Sequence, residues 1–230
     1  MKQLALYLPC CYPNETQFFN VLDLMEKYNV DILELGIPAF NPHMDGKIIK
    51  TSHKQVLDQG FNKTYFKRIV TKIKENYSFK IVLMTYKEGI EAYDLLTLGR
   101  DLVDGLLCVD KTIKIVDFHS PIQLYNEEMS DEMLQQQLNH NRLFAYCMSG
   151  VGKTGSFDHV PINYIDTMKR IKKLSQIPVF IGFGIKDKTD VESVYANGAD
   201  GAIIGSYFVN VVLTSTPEQI ENYIKELKAI

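Results

Sequence analysis

Short apolar runs alternate with amphipathic helical segments along the whole of this 230-residue chain. That alternation is the pattern of βα units arranged along a parallel sheet. Eight runs read as strands, at residues 4–9, 31–36, 80–85, 105–109, 121–125, 143–148, 178–182 and 201–204. Between them, apolar residues recur at three-and-four spacing, as one face of a helix requires. Phe18, Val21, Leu22 and Met25 form one stripe, Phe66, Ile69, Val70 and Ile73 a second, and Ile220, Tyr223, Ile224 and Leu227 a third. A short fourth helix is expected over residues 113–118. An open, doubly wound sheet would alternate in the same way. Eight units of similar length, with no linker or low-complexity break, favour closure into a (β/α)8 TIM barrel that takes up residues 1–230 as a single domain.

Composition excludes several function classes. A hydrophobic fraction of 46% with 23% charged residues is ordinary for a soluble globular protein and supplies a substantial core. The 28 acidic and 25 basic residues leave a formal charge of −3, and no basic stripe is interleaved with aromatics, which argues against nucleic acid as a partner. No run of 18 apolar residues is present, so no membrane-spanning helix is expected. The N-terminal apolar segment continues into a strand-like pattern and reads as a first core strand rather than a signal peptide. Cys10, Cys11, Cys108 and Cys147 show no CxxC or metal-ligand spacing, so no metal is expected. Cys108 and Cys147 fall inside apolar runs, where a thiol acts as a small hydrophobe, and a reducing cytoplasm is the expected compartment.

In barrels of this kind the chemistry sits at the C-terminal ends of the strands and in the loops that follow. Glu34 lies within the apolar run Ile32-Leu33-Glu34-Leu35, where alternation turns it into the barrel near its top. A carboxyl there either pairs with a lysine across the barrel or has a raised pKa suited to donating and accepting protons. Asp45-Gly46 follows in the next loop; taken alone, it is a turn signal. His43 reads as a solvated loop residue. After the sixth strand comes Ser149-Gly150-Val151-Gly152-Lys153-Thr154-Gly155. Its Gly-Lys-Thr resembles a nucleotide-binding P-loop, but the position that must be the first glycine is Cys147, inside the strand. Such a loop can still offer backbone N–H groups to a phosphate. Gly182-Phe183-Gly184-Ile185 follows the seventh strand, and Gly205-Ser206 follows the eighth, just before a short apolar helical stretch. Three glycine-bearing loops at the ends of consecutive strands point to a phosphate-bearing small molecule.

With these motifs in order, the chain resembles the tryptophan synthase α-subunit family. The resemblance rests on Glu34-Leu35-Gly36-x-Pro38, Pro42-x-x-Asp45-Gly46, Phe144-Ala145-Tyr146 with Ser149-x-x-Gly152-x-Thr154-Gly155, Gly182-Phe183-Gly184-Ile185 and Gly205-Ser206. It runs from about Leu4 to Val212. It implies retro-aldol cleavage of indole-3-glycerol phosphate to indole and glyceraldehyde 3-phosphate, with no metal and no cofactor. Glu34 would then shuttle protons and Asp45 would hold the indole N–H. Tyr146 would line the indole pocket beside Phe183, and Thr154, Gly155, Gly184, Gly205 and Ser206 would cradle the phosphate.

The chain also departs from the family's pattern, as a shortened and divergent member. It starts almost on its first strand, has Asn41 where the family has Asp, and keeps only Asp110 of a Pro-Asp-Leu-Pro segment. The third and fourth βα units are trimmed. The resemblance implies contact of those regions with a β subunit, so the departures bear on a tryptophan synthase β partner more than on the lyase chemistry. Two alternatives remain. One is another phosphate-binding barrel enzyme, such as a sugar-phosphate isomerase or prenyltransferase. The other is a non-catalytic barrel that binds a phosphate ligand or a partner.

Overall fold

In the computed structural model, which describes residues 2–150 and 161–230, the strands form one parallel sheet. Its segments are β1 (Gln3–Pro9), β2 (Ile32–Gly36), β3 (Lys80–Thr85), β4 (Gly105–Cys108), β5 (Pro121–Ile122), β6 (Leu124–Tyr125), β7 (Ala145–Met148), β8 (Val179–Gly182) and β9 (Gly201–Ile204). Their spatial order is β5-β4-β3-β2-β1-β9-β8-β7-β6. The two ends of that order are halves of one chain segment. Pro121 and Ile122 pair with β4, Leu124 and Tyr125 pair with β7, and Gln123 sits between them. The order therefore closes on itself, and the fold is a TIM barrel rather than an open sheet.

All eight expected strands are present, with ends that move by a residue or two. The fifth is split at Gln123, a buried residue whose Nε2 donates to the carbonyls of Ile113 and His140. Its backbone N–H is turned to the Asn141 Oδ1 rather than to a neighbouring strand. The expected helix over residues 113–118 does not form. Among those residues Ile113 and Phe118 are buried while Val116 is 84% exposed, so the segment offers two apolar anchors but no helical stripe. The carbonyl of Lys114 accepts both Asp117 N–H and Phe118 N–H in a turn instead. The β-branched run Ile113, Ile115 and Val116 also disfavours a helix this short.

The helices are α1 (Glu15–Lys27), α2 (Lys47–Asp58), α3 (Lys63–Asn76), α4 (Lys87–Ala92), α5 (Asp131–Asn139), α6 (Tyr164–Leu174), α7 (Lys188–Ala196), α8 (Ser206–Thr214) and α9 (Pro217–Lys228). The stripes on α1, α3 and α9 face the sheet as the spacing requires. A second, smaller core lies inside the barrel and contains Ala5, Ile32, Val82, Leu107, Ile122, Phe144, Phe180 and Ile203. Period-two alternation separates the two cores: along β2, Leu33 and Leu35 face the helices, while Ile32 faces inward with Glu34 above it.

A recurrent device ties the lower rim. Asp31, Asp104 and Asp200 each stand just before a strand and accept the N–H at the start of a neighbouring one, from Leu4, Ile81 and Val179 at 2.8–2.9 Å. Each also meets a lysine, respectively Lys228, Lys74 and Lys172. These contacts belong to the stability face of the barrel, away from the strand ends that carry the site.

Closure at Gln123 yields a stability prediction. Gln123→Leu keeps the bulk but strands the buried carbonyls of Ile113 and His140. It should lower unfolding free energy by about 2 kcal/mol in a denaturant titration. An unchanged midpoint would show that the seam does not depend on that amide.

Candidate active site

Glu34 comes to the upper end of the barrel because β2 pairs Glu34 with Tyr7 of β1 and Val82 of β3 in one inward-facing layer. It is buried, and its Oε1 has no hydrogen-bond partner among the described residues. Burial, with the charge of Asp45 as the second cause, pushes its pKa from 4.5 up to about 8. Of the two expectations for this carboxyl, pairing with a lysine is not what the described residues show. A buried acid with a raised pKa is.

Around it opens a cavity of about 200 Å³ lined by Tyr7, Asp45, Met84, Tyr146, Phe183 and Lys186, among others. Asp45 reaches it from the β2–α2 loop, directly before the N-cap Gly46 of α2. Tyr86 Oη donates to Asp45 Oδ2 at 2.7 Å and accepts the Met44 N–H at 3.2 Å. Burial and the Asp45 charge raise the Tyr86 hydroxyl well above its ordinary value, which keeps it a donor to the carboxylate. Asp110 accepts the Lys87 N–H at 2.7 Å and so secures the start of α4 next to Tyr86. Asn41 donates its N–H to Glu88 on the same helix. His43 is exposed, as expected of a loop residue, although its ring lies 5.2 Å from that of Tyr86.

Two tyrosines wall the cavity, and each fits because the adjacent strand has a glycine. A Cβ on Gly36 would overlap the Tyr7 hydroxyl, and one on Gly182 would overlap that of Tyr146. Both rings thus lie across the neighbouring strand, beside the carboxyls. Behind Tyr7 stands His53 of α2, buried and held near pKa 4 by desolvation. Ala39 donates its N–H to His53 Nδ1, so the neutral ring carries its hydrogen on Nε2 and donates it to Tyr7 Oη at 3.1 Å. The hydroxyl hydrogen of Tyr7 is left for another acceptor.

The opposite end of the cavity is made of backbone. Phe183 and Gly184 both have left-handed φ, +78° and +74°. That conformation strains Phe183 and suits Gly184. Ser149 links two loops by donating its N–H to Gly182 O and its hydroxyl to Phe183 O. Gly205 is the N-cap of α8 and has no side-chain cap, and a Cβ there would enter open space. The first turn of α8, with Ser206, Tyr207 and Asn210, lines the same end. A helix N-terminus with open amides is suited to a phosphate.

The structure thus brings Glu34, Asp45, Tyr146, Phe183, Gly184, Gly205 and Ser206 together around one cavity. Thr154 and Gly155 lie outside the described residues. Tyr7, His53, Tyr86, Lys186 and Asn210 were missed from sequence. Tyr7 had a usable signal, the inward parity of β1. His53 shares the buried face of α2 with Ile49 and Val56, where a histidine reads as core. Among the described residues, no group of His, Cys, Asp and Glu could hold a metal ion, and no helix is long and apolar enough to cross a membrane.

A family model described as "Tryptophan synthase alpha chain" matches residues 1–230. The tryptophan synthase alpha chain of Pyrococcus abyssi is 28% identical over 245 residues, covering 99% of this chain and 98% of that one. That of Pyrococcus furiosus is 29% identical over 245 residues, covering 99% and 96%. Among solved structures, Mycobacterium tuberculosis tryptophan synthase superposes with a TM-score of 0.87 at 25% identity, covering 99% of this chain and 91% of that one. A structure described as the mutual activation of the Pyrococcus furiosus tryptophan synthase α2β2 complex gives 0.86 at 29% identity, covering 99% and 98%.

The buried carboxyl has a measurable cost. Its folded pKa lies above its unfolded value, so its contribution to stability is complete below pH 4.5 and lost as pH rises toward about 8. Glu34→Gln should therefore match wild type near pH 4 and exceed it by on the order of 4 kcal/mol near pH 8. Unfolding titrations across that range read the difference, in which the other ionisable groups largely cancel. Parallel curves for the two proteins would refute the assigned environment.

Proposed function

The chain belongs to the tryptophan synthase alpha chain family, a lyase family of tryptophan biosynthesis, and on that premise we propose how this cavity cleaves indole-3-glycerol phosphate to indole and glyceraldehyde 3-phosphate. The observation that carries the proposal is a pair of carboxyls in different environments within one cavity. Glu34 is buried and protonated, while Asp45 is held by a tyrosine donor. Two carboxyls set apart by their surroundings are what paired acid and charge-stabilising roles need.

Glu34 delivers its proton to indole C3, and the ring takes up positive charge. The Asp45 carboxylate accepts a hydrogen bond from the indole N–H and stabilises that charge. Glu34, now a carboxylate, takes the proton of the carbinol hydroxyl. The carbinol becomes an aldehyde, and the electron pair of the breaking C–C bond returns to the ring. Glu34 is protonated again at the end, so the cycle needs no outside acid or base. Tyr146, Tyr7, Met84 and Phe183 supply the apolar walls for the indole. The backbone around Gly184, Gly205 and Ser206 faces the phosphate, with Thr154 and Gly155 assigned to the same task by their motif.

Residues 1–230 act as one domain in this proposal, and four buried free thiols suit a cytoplasmic enzyme. A tryptophan synthase β subunit is the implied partner, as in the α2β2 complex of the Pyrococcus furiosus protein. Phe40, more than four-fifths exposed, presents an apolar side chain in the β2–α2 loop, at the cavity end of the barrel. Asn41 carries no charge to pair with a partner's cation, so any electrostatic part of that contact is reduced.

Indole release from indole-3-glycerol phosphate by the purified chain tests the assignment. Glu34→Gln should lower kcat by 10²–10⁴, the usual range for a general acid–base group. Asp45→Asn should also lower turnover, because a neutral amide cannot stabilise the ring cation. Wild-type turnover by either variant would remove that residue from the mechanism. A separate variant addresses the phosphate end: Gly205→Ala adds a methyl group in open space, so it should fold normally yet weaken phosphate-bearing ligands. Unaltered affinity for them would place the phosphate elsewhere.

A further inference from the structure

The two ends of the cavity carry opposite electrostatics. Glu34 and Asp45 sit at one end, and at the other, on the β8–α7 loop, is Lys186, the one cationic side chain among the described lining residues. Gly184, Gly205 and Ser206, which the resemblance implies cradle the phosphate, lie at that same end. Backbone N–H groups and a helix terminus offer partial charges, whereas a phosphate monoester carries close to two negative charges at neutral pH. An ionised carboxylate in the same cavity repels such a dianion, so a full positive charge beside the amides would matter to binding.

The backbone of Lys186 is held at that end of the cavity. Its N–H donates to Asp190 Oδ2 at 2.9 Å, and its carbonyl accepts the Tyr223 hydroxyl at 2.6 Å. Tyr223 is itself fixed against Phe208 of α8, with ring centroids 6.1 Å apart and an interplanar angle of 15°. The backbone that launches the lysine is thus braced against the helix whose first turn forms the rest of that cavity end. Asn210, one turn along α8 from Ser206, also lines the cavity.

We propose that Lys186 is a substrate-binding residue whose ammonium group contacts the phosphate of the substrate from the side, beside the amides of Gly184, Gly205 and Ser206. The proposal deepens the phosphate assignment made above and rests on it. Lys186 binds and does not take part in bond cleavage, so its effect falls on affinity. A charge-assisted hydrogen bond of this kind corresponds to roughly tenfold to a hundredfold in binding.

The test uses the full chain with inorganic phosphate, glycerol 3-phosphate and indole as competitors against indole-3-glycerol phosphate. Lys186→Met should raise KM about tenfold or more, with the smaller part of the effect in kcat. It should weaken both phosphate competitors by a similar factor, leave indole unchanged and flatten the salt dependence of phosphate binding. Lys186→Arg should restore most of the affinity. The proposal is overturned if Lys186→Met binds both phosphate competitors as wild type does while Gly205→Ala weakens them; the phosphate subsite then stands without the lysine. It is also overturned if Lys186→Met weakens indole equally, because the loop would then be shaping the whole cavity. If wild type itself shows no competition by phosphate, the subsite assignment falls first and the lysine with it.

Discussion

A carboxyl group placed where water cannot solvate it governs the upper half of this barrel. Glu34 is buried, one of its oxygens has no partner among the described residues, and its pKa rises to about 8 as a result. An apolar residue at that position would be cheaper for folding. The strand can hold Glu34 because the rest of β2 is apolar and paired on both sides, so the parity of the sheet leaves the side chain no outward choice. The same desolvation that costs stability keeps a proton available at neutral pH, and that proton is what cleavage at an indole carbon consumes.

Neighbouring groups then divide the labour. Tyr86 donates to Asp45, while His53, locked in one tautomer by the Ala39 N–H, fixes the Tyr7 hydroxyl. The tyrosines can approach because Gly36 and Gly182 leave room for them, so two strand glycines shape an aromatic wall as well as a turn. At the far end the chain accepts a left-handed Phe183 and an uncapped α8, both unfavourable in isolation. Locally unfavourable features gathered around one cavity are a usual mark of a functional site.

Much of this was legible in the sequence, and the physical reasons are specific. Strands buried on both faces appear as continuous apolar runs, so all eight could be placed, and parity alone turned Glu34 inward. The glycine loops could be assigned to one end because strand order fixes which loops share a face. The helix expected over 113–118 does not form, because Ile113 and Phe118 anchor a turn and Val116 faces solvent. The break at Gln123 was invisible, since it follows from closure between β4 and β7, which are far apart in the chain. Tyr86 and His53 escaped notice for the same reason: their roles come from contacts 41 and 46 residues distant in sequence. Lys186 reads as an ordinary loop lysine in the sequence, because only the fold brings the β8–α7 loop into the lining of the cavity.

The central claim is that Glu34 holds its proton through neutral pH, and its carboxyl can be observed directly. Infrared difference spectroscopy during a pH titration, with Glu34→Gln to identify the band, reports the protonated carboxyl stretch. The account predicts a band that persists through pH 7, disappears near pH 8 and is missing in the variant. A band lost near the ordinary value of 4.5 would mean that the group is solvated and ionised under working conditions, and the acid role assigned to it would fail.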